Sequence, residues 1–249
     1  MSKTAPRAGV RRALNRKQLV LFYQPIHELD SRTIVAAETL LRARRPTGEI
    51  RSGVPIAHGA EEGPEMFRLD SWMMQQALRD SAGWDGLRLN VNLSPREFEQ
   101  GRLAQRLKKL GGISRLNLEI TETSFIRNPK HLRSVGDEIR SLGAELWLDD
   151  FGTGHSSLSH LLTLDVDGVK IPGTFVKGVE GSERSRAITR SILDLAHELG
   201  LKVIAEGVEN EEQLAFLREH RCEFIQGFLF SEPMPAVEFT SVLSRSSTQ

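Results

Sequence analysis

Short apolar, β-branched runs recur along the chain at Leu19–Ile26, Ile34–Leu41, Leu87–Leu93, Leu116–Ile120, Leu146–Leu148, Gly168–Ile171, Lys202–Ala205 and Phe224–Phe230. Such runs read as strands. Between them the apolar residues return every three or four positions. That spacing predicts helices over Glu65–Ser81, Leu103–Leu110, Pro129–Leu142, Ser156–Leu162, Glu183–Leu199 and Glu211–Glu219, with a last one from about Ala236 to Leu243. Met66, Leu69, Met73 and Leu78 mark the buried face of the first of these. Boundary residues agree. Ser182-x-x-Ser185 opens one helix and Gly200 closes it. Asn210 followed by Glu211 and Glu212 has the cap and first-turn acids of another.

Eight strands alternating with helices predict an α/β fold, a modified TIM (β/α)8 barrel. The first two runs are joined only by His27–Thr33, too short for a helical crossover, so one strand is expected to run antiparallel to the rest. The length of 249 residues suits one large barrel or two small domains, and no repeat, linker or low-complexity segment divides the chain. The expected organisation is a basic disordered tail over residues 1–10 and one domain over 11–249.

Charge and composition narrow the function. Lys plus Arg and Asp plus Glu number 33 each, a balance that argues against a nucleic-acid polymer as partner. Every apolar run is too short to span a bilayer. The single cysteine, Cys222, allows no internal disulfide, fits a reducing cytoplasm, and reads as a core residue before a strand. Lys3, Arg7, Arg11, Arg12, Arg16 and Lys17 precede no apolar signal core, so they read as a solvated tail leading into a short helix, not a secretory peptide. Trp72, Trp84 and Trp147 read as packing residues, and His155 and His160 are spaced poorly for a shared zinc site.

Most of the strands contain or end in a polar residue that an apolar core excludes: Gln24, Glu38, Asn92, Glu119, Asp149 with Asp150, Lys170, Glu206 and Gln226. An unpaired buried charge costs several kcal/mol, so one on nearly every strand signals a common site. In a barrel the strand ends converge on the C-terminal mouth. The carboxylates outnumber the cations, Lys170 and Arg42, and like charges held together need a counter-charge. An all-oxygen ligand set suits Mg²⁺ or Mn²⁺ better than structural zinc. Asp149 and Asp150 sit where a strand turns into Gly152-Thr153-Gly154, so both can reach the mouth, and one aspartate could bridge two ions. A one-metal enolate-stabilising barrel also carries successive acids and a lysine, and the ring alone leaves both readings open.

These residues fall in a series of motifs: Tyr23-Gln24-Pro25-Ile26, Ala37-Glu38-Thr39-Leu40-Leu41-Arg42, Val91-Asn92-Leu93-Ser94, Glu119-Ile120-Thr121-Glu122, Asp149-Asp150-Phe151-Gly152-Thr153-Gly154, Lys170-Ile171, Ala205-Glu206-Gly207-Val208-Glu209 and Gln226-Gly227. In this order, from about Arg11 to Pro235, they resemble the EAL domain family of cyclic-di-GMP phosphodiesterases. The resemblance implies a TIM-like barrel with one antiparallel strand and hydrolysis of cyclic di-GMP to linear pGpG with two metal ions. It implies that Glu38, Asn92, Glu119 and Asp149 hold one ion, and that Asp149 and Asp150, with Glu206 nearby, hold the other. Lys170 would contact the attacking water, Glu206 help activate it, and Glu122 brace the loop after Asp150. Gln24, Arg42, Glu209 and Gln226 would line the substrate groove. A homodimer is a further implication.

The sequence departs from the family pattern in places. Thr39 stands for the signature alanine, and His155 stands for a tyrosine in the loop. The stretch between Arg42 and Glu65 matches poorly. Pro172 stands where the family has an aspartate beside the metal-and-water cluster, and proline offers neither an acceptor side chain nor an N–H. Beside the enzyme therefore stand two rivals: a non-catalytic receptor for the dinucleotide, and an adaptor that binds only protein.

Overall fold

The computed structural model describes residues 7–58, 65–96, 103–121, 129–153 and 165–246. Helix α1 (Arg7–Asn15) leads into a hairpin of β1 (Leu19–Glu28) and β2 (Ile34–Arg44). A short β3 (Ile50–Ser52) and α2 (Val54–His58) follow, then α3 (Glu65–Asp80) and β4 (Arg88–Asn92). Next come α4 (Leu103–Leu107), β5 (Leu116–Thr121), α5 (Pro129–Ser141), β6 (Glu145–Asp149) and β7 (Gly168–Ile171). The chain closes with α6 (Gly173–Gly178), α7 (Glu183–Glu198), β8 (Lys202–Ala205), α8 (Glu211–Glu219), β9 (Phe224–Ile225), β10 (Met234–Pro235) and α9 (Ala236–Ser246).

Strands β2, β4, β5, β6, β7, β8 and β9 pair in parallel, each with the next. Strand β1 closes the ring by pairing antiparallel with both β2 and β9. The fold is therefore the expected eight-stranded barrel with one reversed strand. The cause is the connection at Asp30–Ser31, which returns the chain directly beside itself.

Two apolar bodies hold the barrel. The larger one lies between the strands and the surrounding helices. Leu89, Val91, Leu116, Leu118, Ile120, Leu146 and Leu148 face it from the strands, and Leu69, Met73, Ile139, Leu193 and Leu217 face it from the helices. The smaller one fills the barrel axis with Ile26, Ala36, Trp147 and Ile204. Alternation along each strand sorts side chains between the two.

The axial Trp147 needs a missing side chain opposite. A Cβ on Gly168 would stand 2.5 Å from the Trp147 ring. Gly168→Ala is expected to cost about 1–3 kcal/mol by overpacking. Urea denaturation followed by tryptophan fluorescence checks this, and an unchanged midpoint would mean the ring does not depend on that gap.

Several elements differ from the sequence reading. The run at Phe224–Phe230 forms a strand only over Phe224–Ile225. Gly227 then approaches Val208 so closely that a Cβ would fall 2.0 Å from the Val208 carbonyl oxygen, and the chain turns away. Strands β3 and β10 and helices α2 and α6 carry too few residues to show a period. Helix α1 begins within the stretch expected as tail, with Val10 fully buried. The expected helix at 156–162 lies outside the described residues. Trp84 and Trp147 are buried, as is Cys222, whose thiol burial pushes up to about 12. Among the described residues no helix is long and apolar enough to cross a membrane.

Candidate active site

The barrel strands bring their polar residues to one mouth. Glu38 faces Gln24 in the β1–β2 register, Asn92 faces Glu119 in the β4–β5 register, and Thr121 faces Asp149 in the β5–β6 register. Lys170, fully buried on β7, is the centre. Its Nζ lies 2.6 Å from Glu206 Oε1, 3.0 Å from Glu119 Oε1, 3.4 Å from Glu38 Oε1 and 3.6 Å from Asp149 Oδ1. Gln226 Nε2 donates to Gln24 Oε1 at 2.9 Å and also to Glu38 Oε2. Asn92 Nδ2 donates to Glu38 Oε1 at 3.4 Å. Residues from, or just after, all eight barrel strands thus form one connected cluster.

Charge dominates this cluster. Burial works against the Lys170 ammonium, but Asp149, Glu119, Glu206 and Glu38 outweigh it and hold its pKa well above the usual lysine value. Burial likewise raises the Glu119 carboxyl well above the carboxylate range, against the pull of Lys170 and with help from Glu38 and Asp149. Glu206 is pushed up to about 7, chiefly by burial, with Lys170 opposing. One lysine does not neutralise four carboxylates.

The aspartate pair reaches the mouth through the backbone. Asp150 has φ of +56°, a left-handed conformation that aspartate tolerates better than most residues. This reverses the strand alternation at one residue. The turn is held by the Thr153 hydroxyl donating to Asp150 O at 2.8 Å and by Phe151 N donating to Lys170 O at 3.1 Å. Burial, then the neighbouring Asp149 charge, raises the Asp150 pKa.

Two clefts flank the cluster and share Asp150. One, of about 570 Å³, is lined by Gln24, Glu38, Pro172, Glu206, Glu209 and Phe228, among others. The second, of about 530 Å³, lies on the other side against Arg42, Asn92, Asp70 and Met66. Arg42 thus faces a cleft and leaves Lys170 as the central counter-charge; its Nη1 donates to Leu41 O at 3.1 Å. Glu209 pairs with Lys177 at 2.7 Å. Glu122, His155 and His160 lie outside the described residues.

Sequence reading missed three residues of these clefts. Lys177 looks like an ordinary surface lysine. Phe228 falls in a run that reads as a strand, yet it stands 61% exposed at the rim of the first cleft. Asp70 gave a signal, an acid on the apolar face of α3. It is fully buried, accepts from the Ser94 hydroxyl at 2.6 Å, and is pushed up to about 7 by burial.

The EAL domain family model matches residues 7–233. The chain belongs to the EAL domain family. Its relatives include the cyclic di-GMP phosphodiesterase NbdA of Pseudomonas aeruginosa, 37% identical over 91% of this chain and 30% of that protein. The chain therefore spans less than a third of that relative's length. Among solved structures, the EAL enzyme Bd1971, in a form binding cAMP and cyclic di-GMP, superposes with a TM-score of 0.90 at 28% identity. That match covers 97% of this chain and 69% of the other. A manganese and cyclic-di-GMP complex of BlrP1 from Klebsiella pneumoniae superposes with a TM-score of 0.76 at 29% identity, covering 87% of this chain and 56% of the other.

The donors of this EAL domain suit a hard divalent cation. They are carboxylate and amide oxygens, and Glu119 Oε2 is buried with no hydrogen-bond partner. Among the described residues no group of three or more His, Cys, Asp or Glu side chains is already arranged to hold a metal ion. The four acids turn instead to Lys170, the cation at hand.

Proposed function

We propose that this EAL domain hydrolyses one phosphodiester of cyclic di-GMP, giving linear pGpG, in the cytoplasm. The observation that carries the proposal is the placement of the acidic cluster between two clefts of similar size. A molecule with two planar bases and phosphodiesters between them matches that layout. The names of the relatives support the same substrate.

Mg²⁺ or Mn²⁺, as two ions, is part of this reading; bound there, they would activate water and offset charge on the phosphoryl oxygens. Glu38, Asn92, Glu119 and Asp149 would hold one, and Asp149 and Asp150, with Glu206 nearby, the other. The manganese complex of BlrP1 supports the metal class. Lys170 holds the attacking water by its Nζ. Glu206 accepts the water's proton, a role supported by its pKa, pushed up to about 7, and by its Oε1 lying 2.6 Å from Lys170 Nζ. Gln24, Gln226 and Glu209 orient the substrate from the first cleft, and Arg42 from the second. Glu122 keeps its proposed bracing role, and the homodimer rests on the resemblance alone, with sedimentation velocity as its check.

Pro172 favours the second reading, a receptor that binds without turnover. It lines the first cleft and caps α6 with no side-chain bond. One assay decides: purified protein with cyclic di-GMP and Mn²⁺, followed by chromatography for pGpG. Product supports the enzyme. Calorimetric binding without product leaves the receptor, and no binding leaves the adaptor. Pro172→Asp, which restores an acceptor at that position, is expected to raise kcat by about tenfold or more, the size of effect of an outer-shell partner at a metal site. An unchanged kcat would show that the proline does not limit turnover.

A further inference from the structure

The barrel interior beneath the carboxylate cluster is not wholly apolar. On the β4–β5 side two asparagines are buried in it, Asn90 and Asn117. A buried amide is costly unless its donors and acceptor are bonded. Here the bonds form one chain. Arg88 Nε donates to Asn117 Oδ1 at 2.5 Å, Asn117 Nδ2 donates to Asn90 Oδ1 at 2.9 Å, and Asn90 Nδ2 donates to Glu119 Oε1 at 2.7 Å. Strand register produces it, since Asn90 stands beside Asn117 and Asn92 beside Glu119. Alternation turns Arg88, Asn90, Asn117 and Glu119 to the same side of their strands.

The direction of the chain is fixed from its far end. A guanidinium donates and cannot accept. Arg88 is held by Leu116 O at 3.2 Å and by Glu145 at 3.6 Å, and Glu145 is held in turn by Lys202 at 2.9 Å. Asn117 must therefore turn its carbonyl to Arg88, which leaves its amide hydrogens for Asn90. Asn90 must then turn its own amide hydrogens to Glu119. Reversing either asparagine would set donor against donor. At the top, Glu119 Oε1 is engaged by both Asn90 and Lys170, while Oε2 is buried and unpartnered.

We infer that Arg88, Asn117 and Asn90 form a positioning relay that fixes the rotation of the Glu119 carboxylate and presents its Oε2 alone, as a one-oxygen ligand, to a divalent cation. None of the three touches the reacting atoms. The inference rests on the metal-dependent reading above. It assigns a role at the site to Arg88, a residue at the opposite end of the barrel strands.

The test is Mn²⁺ binding to the full chain without substrate, read by electron paramagnetic resonance, with circular dichroism as a control for folding. Arg88→Met, which removes the donor, is expected to lower Mn²⁺ affinity about tenfold. Arg88→Lys, which still only donates, is expected to retain most of the affinity. Asn90→Leu is expected to weaken binding at least as much as Arg88→Met, and the double variant no further than Asn90→Leu alone, because both cut one chain. A folded Arg88→Met with unchanged affinity, or effects that add, would overturn the relay and leave the phosphodiesterase reading intact. Absence of Mn²⁺ binding by the unsubstituted protein would overturn the metal-dependent reading and the ligand role of Glu119 with it.

Discussion

Lys170→Ala is expected to lose about 3–5 kcal/mol of stability in EDTA, the usual cost of removing one partner from a buried charge network. Four carboxylates within 3.6 Å of its Nζ would lose their shared counter-charge. The loss depends on pH in a fixed direction. Glu119 is already raised by burial and Glu206 is at about 7, both with Lys170 pulling downward. Removing Lys170 raises them further above the value near 4.3 of an unfolded glutamate. The folded variant then binds more protons than the unfolded chain, so its stability is highest in acid and falls as pH rises through 7. Lys170 itself, raised when folded, contributes stability below its unfolded pKa that disappears only at strongly alkaline pH. Urea midpoints at pH 6 and pH 9 should therefore diverge more for the variant than for the parent. Mn²⁺ should restore part of the loss by mass action on the folded state. A variant as stable as the parent at pH 9 would show that Lys170 is not the electrostatic keystone of the mouth.

Glu38→Gln is expected to reduce pGpG formation by about 10³-fold or more, because losing a ligand weakens the hold on the ion that would offset developing charge. The side chain keeps its size but loses its charge beside Lys170 and Gln226. Cyclic di-GMP should still bind, because the clefts remain, so the fall should appear in kcat more than in KM. Calorimetric Mn²⁺ affinity should fall in parallel. Turnover close to that of the parent would remove Glu38 from the ligand set.

The barrel was legible in the sequence because its signals are local. Apolar strand runs, helix caps and the short His27–Thr33 connection each appear within a few positions. The candidate site was legible because a polar residue in a strand contradicts its apolar neighbours, as Glu119 does between Leu118 and Ile120. What stayed hidden depends on contacts far along the chain. Phe224–Phe230 reads as one strand until Gly227 meets Val208. Asn90 and Asn117 read as ordinary strand residues until register places them side by side in the interior. Their one local signal was parity with Asn92 and Glu119. The left-handed Asp150 likewise shows only in the backbone, although a Gly-Thr-Gly turn two residues later made a sharp reversal natural.

The reversed strand has a consequence for how such a barrel could be governed. Leu19 pairs with Ala43, near the end of β2 that leads to the mouth, so the polypeptide enters the barrel on the rim that carries the acidic cluster. Gln24 lies only five positions further, bonded to Gln226 and to the Ser231 carbonyl. In an ordinary (β/α)8 barrel the incoming chain would arrive at the opposite end, remote from the chemistry. Here a tug or rotation applied ahead of α1 would reach Gln24 through a few residues of extended backbone. A module fused upstream would therefore stand next to the strand that carries Gln24, with no barrel length between them.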